Sequence, residues 1–461
     1  MSCLTPRGGA EAYNPPVAVE ELTEPVVDGL PPGPPQPGWF QALGWAVRPT
    51  ALLREAERRY GEIFTLRGLA NGREMPYVFV SNPEAIKAIA TGDRDALRAG
   101  AARGFDLFEP VFGPHSILLL DGAAHLRQRK LMLPPFHGER MKSYGELIAD
   151  ETERRMATWP RGEPFALQEE FQHITLDVIL RAVFGFDAGP ALAEARERIQ
   201  RWLVMLASPA AMVPFFRNNF GPGKPWTPLA RQRDRVHESL YALIRERRAD
   251  PRVAERDDVL SMLIGARDEH GEAMSDDELR DELVTLLIAG HETTATAMAW
   301  AVELLLTHPD KLAALRADLP DGDEYLNAVI HETMRLRPPI PLFDRRVCEP
   351  IEVLGYRIPV GAVMACNIVS AHRRPDVYPE PLAFRPERFL DTPPETYSWI
   401  PFGGGIRRCL GAAFALYEMR IVLRMVVERT EPRAVDPQPS RYFRRAIVLG
   451  PRSQARVALP A

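Results

Sequence analysis

The stretch FGGGIRRCLG, residues 402–411, places a cysteine among glycines and arginines, directly ahead of the apolar helical pattern GAAFALYEMRIVLRMVVERT. The commonest fate of a free cysteine is that of a small buried hydrophobe. A nucleophilic role for Cys409 needs a base beside it, and the local sequence offers no histidine. Zinc or iron–sulfur ligation needs further ligands, and Cys3, Cys348 and Cys366 lack the spacing. A single thiolate ligand to haem iron fits better. The start of the following helix supplies N–H donors and a positive dipole end, which favour the thiolate anion. Glycines 403 to 405 let the backbone approach a flat macrocycle, and Arg407 suits a propionate.

A second constellation is AGHETT, residues 289–294, which interrupts the apolar pattern of SDDELRDELVTLLIAGHETTATAMAWAVELLLTHP. A surface stripe with a tolerated glycine is the plain reading. Against it, an acid and two hydroxyls follow a glycine between two strongly apolar segments. Threonine bonds back to a carbonyl one turn earlier, and glycine permits a kink. A local opening there is expected to present Glu292, Thr293 and room for water, the parts of a proton relay. HETTA and HETMR both begin like a zinc protease motif, but Ala295 and Arg335 stand where the second histidine is needed. A third pair, Glu332 and Arg335, shares a helix face. Alone it reads as an exposed ion pair worth about 0–1 kcal/mol. Arg388, in FRPERF, gives the carboxylate a second guanidinium that would compensate it on burial.

The elements that must position these residues are mainly helical. The long pattern starts at a capping box, Ser275 with Glu278, and stops before Pro309. At 1.5 Å per residue it spans on the order of 50 Å. Other 3.6-residue patterns cover most of 140–310, broken by SPAAMVPFFRNNFGPGKPW, a loop expected to act as a lid. After residue 340 short strands alternate with turns. Residues 1–38, rich in proline, read as a lead-in, and residues 39–461 as one domain.

These motifs, in this order, resemble the cytochrome P450 family of haem-thiolate monooxygenases. The family's cysteine loop is matched at Phe402, Gly405, Arg407, Cys409 and Gly411, and its long-helix motif at Ala289, Gly290, Glu292, Thr293 and Thr294. Glu332, Arg335 and Arg388 match its structural triad. HLRQRKLMLPPFH matches its haem-contacting helix, with His125 and Arg129 in place and without the tryptophan many members carry there. The resemblance implies a mainly α fold with small β-sheets and haem b between the long helix and the cysteine-loop helix. It implies Cys409 as axial iron ligand, Glu292 and Thr293 as the acid–alcohol pair, and Ala289 and Gly290 at the oxygen pocket. His125, Arg129, Arg345 and Arg407 would hold the propionates, with Phe402 and Gly411 shaping the loop.

By family position, an apolar substrate (a lipid, terpenoid, steroid or macrolide) would meet Phe105, Phe108, Phe112, Phe215, Phe216, Leu286, Leu342, Phe343 and Ile447. No flavin or iron–sulfur domain is fused, so electrons are expected from NAD(P)H through a ferredoxin reductase and a ferredoxin. That ferredoxin would dock on Arg127, Lys130 and Arg408. The alternatives are a haem enzyme that rearranges peroxides or couples phenols, and a non-catalytic haem sensor.

Composition narrows the class further. A net charge of −5 and a pI near 6.1 argue against a nucleic-acid binder. Four scattered cysteines argue against a disulfide framework and for a reducing cytoplasm. No secretory signal and no apolar run long enough to span a bilayer is visible. A monomer is expected.

Overall fold

The computed structural model describes residues 27–70, 73–92, 96–103, 108–136, 140–208, 227–390, 392–436, 438–445 and 447–461. The helices that position the candidate site are α1 (Gly122–Met132), α2 (Leu167–Ala182), α3 (Asp276–Thr307), α4 (Glu324–Leu336) and α5 (Ala412–Arg429). Helix α3 begins as the sequence predicts. The Ser275 hydroxyl accepts the Glu278 N–H at 3.2 Å, and the Glu278 carboxylate accepts the Ser275 N–H at 2.8 Å. Asp276, Asp277 and Glu278 also set negative charge against the positive helix end. The helix stops at Thr307, and Pro309 opens the next one, where its missing N–H costs nothing.

The two halves of α3 serve two apolar clusters. Ala295, Met298, Ala301 and Val302 pack with Phe171, Val178, Val422 and Val426, which joins α3 to α2 and α5. Leu279, Leu283, Val284 and Leu287 pack with Phe184, Trp202, Leu240 and Ile244. From Thr294 to Val302 every residue is buried, as expected of a helix surrounded by protein.

The largest sheet joins β1 (Ile63–Ala70), β2 (Arg73–Val80), β3 (Leu97–Arg98), β4 (Leu342–Val347) and β5 (Val363–Asn367), in the order β1-β2-β5-β4-β3. Only the β2–β5 pairing is parallel. Strand β4 alternates, with Phe343, Arg345 and Val347 on its buried face. A separate antiparallel hairpin, β6 (Tyr442–Arg445) and β7 (Val448–Pro451), lies on α3. The Trp300 indole donates to the Leu449 carbonyl at 2.9 Å, and the Leu449 N–H donates to the Pro339 carbonyl at 2.8 Å. The described end of the proline-rich lead-in is fastened to β1: the Thr65 hydroxyl and N–H donate to the carbonyls of Pro31 and Pro32, at 2.8 and 3.0 Å.

Candidate functional site

The cysteine loop is shaped by its own backbone. The Cys409 N–H donates to the Phe402 carbonyl at 2.9 Å. Gly405 has φ +63°, and a Cβ there would lie 2.0 Å from the Ala90 carbonyl oxygen. Glycine is therefore required on two counts, conformation and close approach. Cys409 keeps accessible surface. Burial pushes its thiol pKa up, while the Gly411 N–H and the charges of Arg129 and Arg408 pull it down. Those three groups favour the anion that a metal ligand must be.

Arg129 tests whether the loop suits a haem. It is half-buried on α1 and makes no hydrogen bond or ion pair among the described residues. Burial lowers its pKa, the Cys409 sulfur raises it, and Arg407 and Arg408 lower it again. An uncompensated guanidinium beside the cysteine is a seat for an anion, and a propionate matches it. His125, one turn earlier, is buried at 1% exposure. Arg345 is equally buried, donates Nη1 to the Asp344 carbonyl, and lies over the Phe343 ring at 5.2 Å. The residues present fit the group.

Arg407 has protein partners of its own. Its guanidinium donates to the carbonyls of Ile117 (3.1 Å) and Leu120 (2.5 Å) and to the Asp121 carboxylate (2.6 Å). Asp121 also accepts the N–H groups of Gly100 and Ala101. Arg407 therefore ties the cysteine loop to the turn before α1 through Asp121 and two carbonyls. No local signal in the sequence marks Asp121 as its partner.

The relay residues lie on α3, which continues through them without a break. The expected back-bond is present, Thr293 Oγ1 to the Ala289 carbonyl at 2.5 Å, but the expected opening is not. Packing explains this: the Thr175 hydroxyl donates to the His291 carbonyl at 3.1 Å, and Gly290 lies against Ile179 of α2. Ala289 is exposed, and Leu286 and Thr293, three residues before it and four after, are partly so, which makes an accessible stripe along one face of the middle of α3. Gly290 faces α2 more than this stripe. The Glu292 carboxylate is turned toward α2 and the hairpin. It accepts from Gln172 Nε2 at 2.7 Å and pairs with Arg445 Nε at 3.3 Å. Burial raises its pKa; Arg445 and Gln172 lower it. No hydrogen bond joins it to Thr293.

The triad residues meet. Arg335 holds both Glu332 oxygens, at 2.7 and 2.9 Å, with both side chains fully buried. Arg388 Nε (3.1 Å) and the Arg385 N–H (2.8 Å) complete the carboxylate. Arg335 also donates to the carbonyls of His372, Pro381 and Ala383. His372 then accepts the Ile400 N–H at 2.8 Å, next to the cysteine loop.

The expected pocket is only partly assembled. Phe105, Phe215, Phe216 and the proposed lid lie outside the described residues. Phe108 stacks on Phe112 at 5.8 Å, but Phe112 is core, packed with Leu279 and Leu283. The carboxylates of Asp281 and Glu282 draw it there by accepting the N–H groups of His115 (2.9 Å) and Ile117 (2.7 Å). Phe343 is also core, among Ile89, Ala90 and Ile400 in the sheet, and Leu342 packs on Phe64 and Phe79. Leu286 and Ile447 keep accessible surface. Residues of the expected docking patch also have acidic neighbours. Arg127 is tied to Asp268 (2.6 Å) and Glu278 (2.8 Å), and Lys130 to Glu269 (3.1 Å), so acids neutralise that side and only Arg408 stays exposed without such a partner. The sequence showed these acids, but not that they fold back onto α1.

Comparison with known proteins agrees with this geometry. The family model described as cytochrome P450 matches residues 31–454. Putative cytochrome P450 137 of Mycobacterium tuberculosis is 40% identical over 448 residues, covering 95% of this chain and 93% of the relative. Putative cytochrome P450 138 of Mycobacterium bovis is 40% identical over 440 residues, covering 94% and 97%. Among solved structures, a cyanobacterial CYP120A1 with retinoic acid bound has a TM-score of 0.80 at 23% identity, covering 93% of this chain and 99% of that one. The haem domain of cytochrome P450DA has a TM-score of 0.79 at 21% identity, covering 95% and 98%. At these identities the structures speak for the fold alone. No helix among the described residues is long and apolar enough to cross a membrane.

Proposed function

The chain belongs to the cytochrome P450 family, a haem-thiolate monooxygenase, and from that premise we propose that it oxygenates an apolar small molecule with electrons delivered by a ferredoxin. When bound, the haem supplies the redox chemistry: dioxygen, two electrons and two protons become one oxygen atom in the product and one water. The protein's share is to bind, orient and supply protons. Cys409 would hold the haem iron as its thiolate; burial opposes that anion, and the Gly411 N–H with the charges of Arg129 and Arg408 favours it. Arg129, with His125, Arg345 and Arg407, would hold the propionates; the unpaired Arg129 guanidinium beside Cys409 is the observation that carries this reading. Ala289 and Leu286 offer the apolar stripe against which a lipid, terpenoid, steroid or macrolide would lie. Thr293 Oγ1 donates to the Ala289 carbonyl, which leaves its oxygen lone pairs free to accept a bond from water or substrate. Glu292 carries the proton to be passed on. NAD(P)H reduces a ferredoxin reductase, which reduces the ferredoxin. The enzyme acts as a monomer in the cytoplasm.

The test is optical. Reduced holoprotein with carbon monoxide should show the red-shifted Soret band of thiolate ligation, and Cys409→Ser should lose it while staying folded. A wild-type holoprotein without that band at any folded condition would end the assignment. Titrating ferric holoprotein with a panel of apolar compounds then ranks substrates by the spectral change of displaced water.

A further inference from the structure

The Glu292 carboxylate is held by two elements that the sequence keeps far from α3. From α2, Gln172 donates to Oε2 at 2.7 Å, and Gln168, one turn earlier, reaches Thr296 Oγ1 at 3.4 Å. From the hairpin, Arg445 brings Nε within 3.3 Å of Oε1. Two other titratable groups are near. The His291 ring lies 3.9 Å from Oε2, and burial with Arg445 pushes its pKa down to about 3, so it is neutral at physiological pH. Burial likewise lowers His173 on α2, the residue beside Gln172. Among the described residues, Arg445 is therefore the cation that compensates this acid.

We propose that Arg445 and Gln172 are positioning residues for proton supply: together they orient Glu292 at the seam of α3, α2 and the hairpin, and Arg445 sets how tightly it holds its proton. A carboxyl enclosed by protein keeps its proton at neutral pH unless a cation opposes this. Arg445 supplies that cation. Its side chain is 24% accessible, so the partner of the acid is itself partly in contact with solvent. Strand β6 ends at Arg445, and the turn that follows carries Ile447, a candidate substrate wall with 39% of its surface exposed. One hairpin thus bears both a wall residue and the partner of the acid. This inference rests on the reading of Glu292 as the proton-supplying acid.

The experiment separates the pairing from that reading. Holoenzyme labelled with 13C-glutamate is titrated by infrared spectroscopy, with Glu292→Gln identifying the Glu292 carboxyl band. Arg445→Leu should raise the midpoint of that band by about one pH unit or more, a tenfold or greater gain in proton affinity. Arg445→Lys should restore most of it, and Gln172→Leu should shift it less in the same direction. Product formed per NADPH should fall several-fold in Arg445→Leu and recover in Arg445→Lys. An unmoved carboxyl midpoint in Arg445→Leu overturns the pairing. A moved midpoint with unchanged coupling at every pH overturns the proton-supply role, and with it the reading of Glu292 as donor. A general loss of fold would expose the carboxyl and lower its midpoint, the opposite of the expected rise, and Arg445→Lys would not reverse it.

Discussion

Glu332→Gln is the sharpest probe of the fold around the cysteine loop. The side chain keeps its size and most of its hydrogen-bonding capacity but loses its charge. In the native protein that charge is fully buried and meets Arg335 on both oxygens, Arg388 on one, and the Arg385 N–H. After the change the Arg335 guanidinium stays buried with neutral partners only: the glutamine amide oxygen, three carbonyls and the Tyr378 ring. Breaking one side of a buried pair costs about 3–5 kcal/mol. Unfolding entropy of about 2.1 cal/mol/K per residue, over 461 residues, is about 1 kcal/mol/K. The melting midpoint should therefore fall by about 3–5 °C. Because His372 links Arg335 to Ile400, some of the loss should appear as a carbon monoxide band that drifts away from the thiolate position on heating before global unfolding. Circular dichroism and Soret absorption on the same holoprotein read both. The double change Glu332→Gln with Arg335→Met removes the stranded charge and should melt above the Glu332→Gln single. If Glu332→Gln melts together with the wild type, or if the double is simply the sum of the two singles, the buried-charge reasoning fails.

Two further outcomes follow from the same geometry. Thr293→Ala removes the hydroxyl on the accessible stripe of α3 and should divert NADPH from product to hydrogen peroxide several-fold; unchanged coupling would refute the relay. Burial pushes Glu282 up to about 8 from 4.5, so its folded form binds a proton that its unfolded form has lost between those values. Its contribution to stability is then complete below pH 4.5 and fades as pH rises toward 8, by up to about 1.4 kcal/mol per pH unit. Glu282→Gln, which can still accept the Ile117 N–H, should flatten the fall of melting temperature across that window. An unaltered slope would show that Glu282 is ionised in the folded protein.

Motifs whose partners lie within one turn or one loop were readable in advance. The capping box at Ser275, the Thr293 back-bond and the pairing of Glu332 with Arg335 all follow from spacing on a helix, where geometry is dictated by the backbone. Arg388 was a possible second partner for the carboxylate by charge compensation, but that it meets Glu332 is decided by packing. The partners of long side chains are not legible from the sequence. Arg407 took Asp121, and Arg127 took Asp268 and Glu278, because an arginine reaches several residues away and finds whichever carboxylate the fold brings. Aromatic type was equally ambiguous. Phe112 and Phe343 are core, Ile447 is not, and nothing in those residues alone distinguishes the two.

What the chain of letters determined by itself was the local chemistry: a glycine-framed cysteine ahead of a helix, an acid and alcohol inside an apolar helix, and the family those motifs resemble. What only the tertiary structure decided was which charges neutralise one another. The Glu292 carboxylate could not be known to meet Gln172 and Arg445 until α2, α3 and the hairpin were packed together. The physical reason is range. Helix periodicity and caps act over a few residues along the backbone, whereas ion pairs and cavity walls depend on distances that only the packing of separate elements sets.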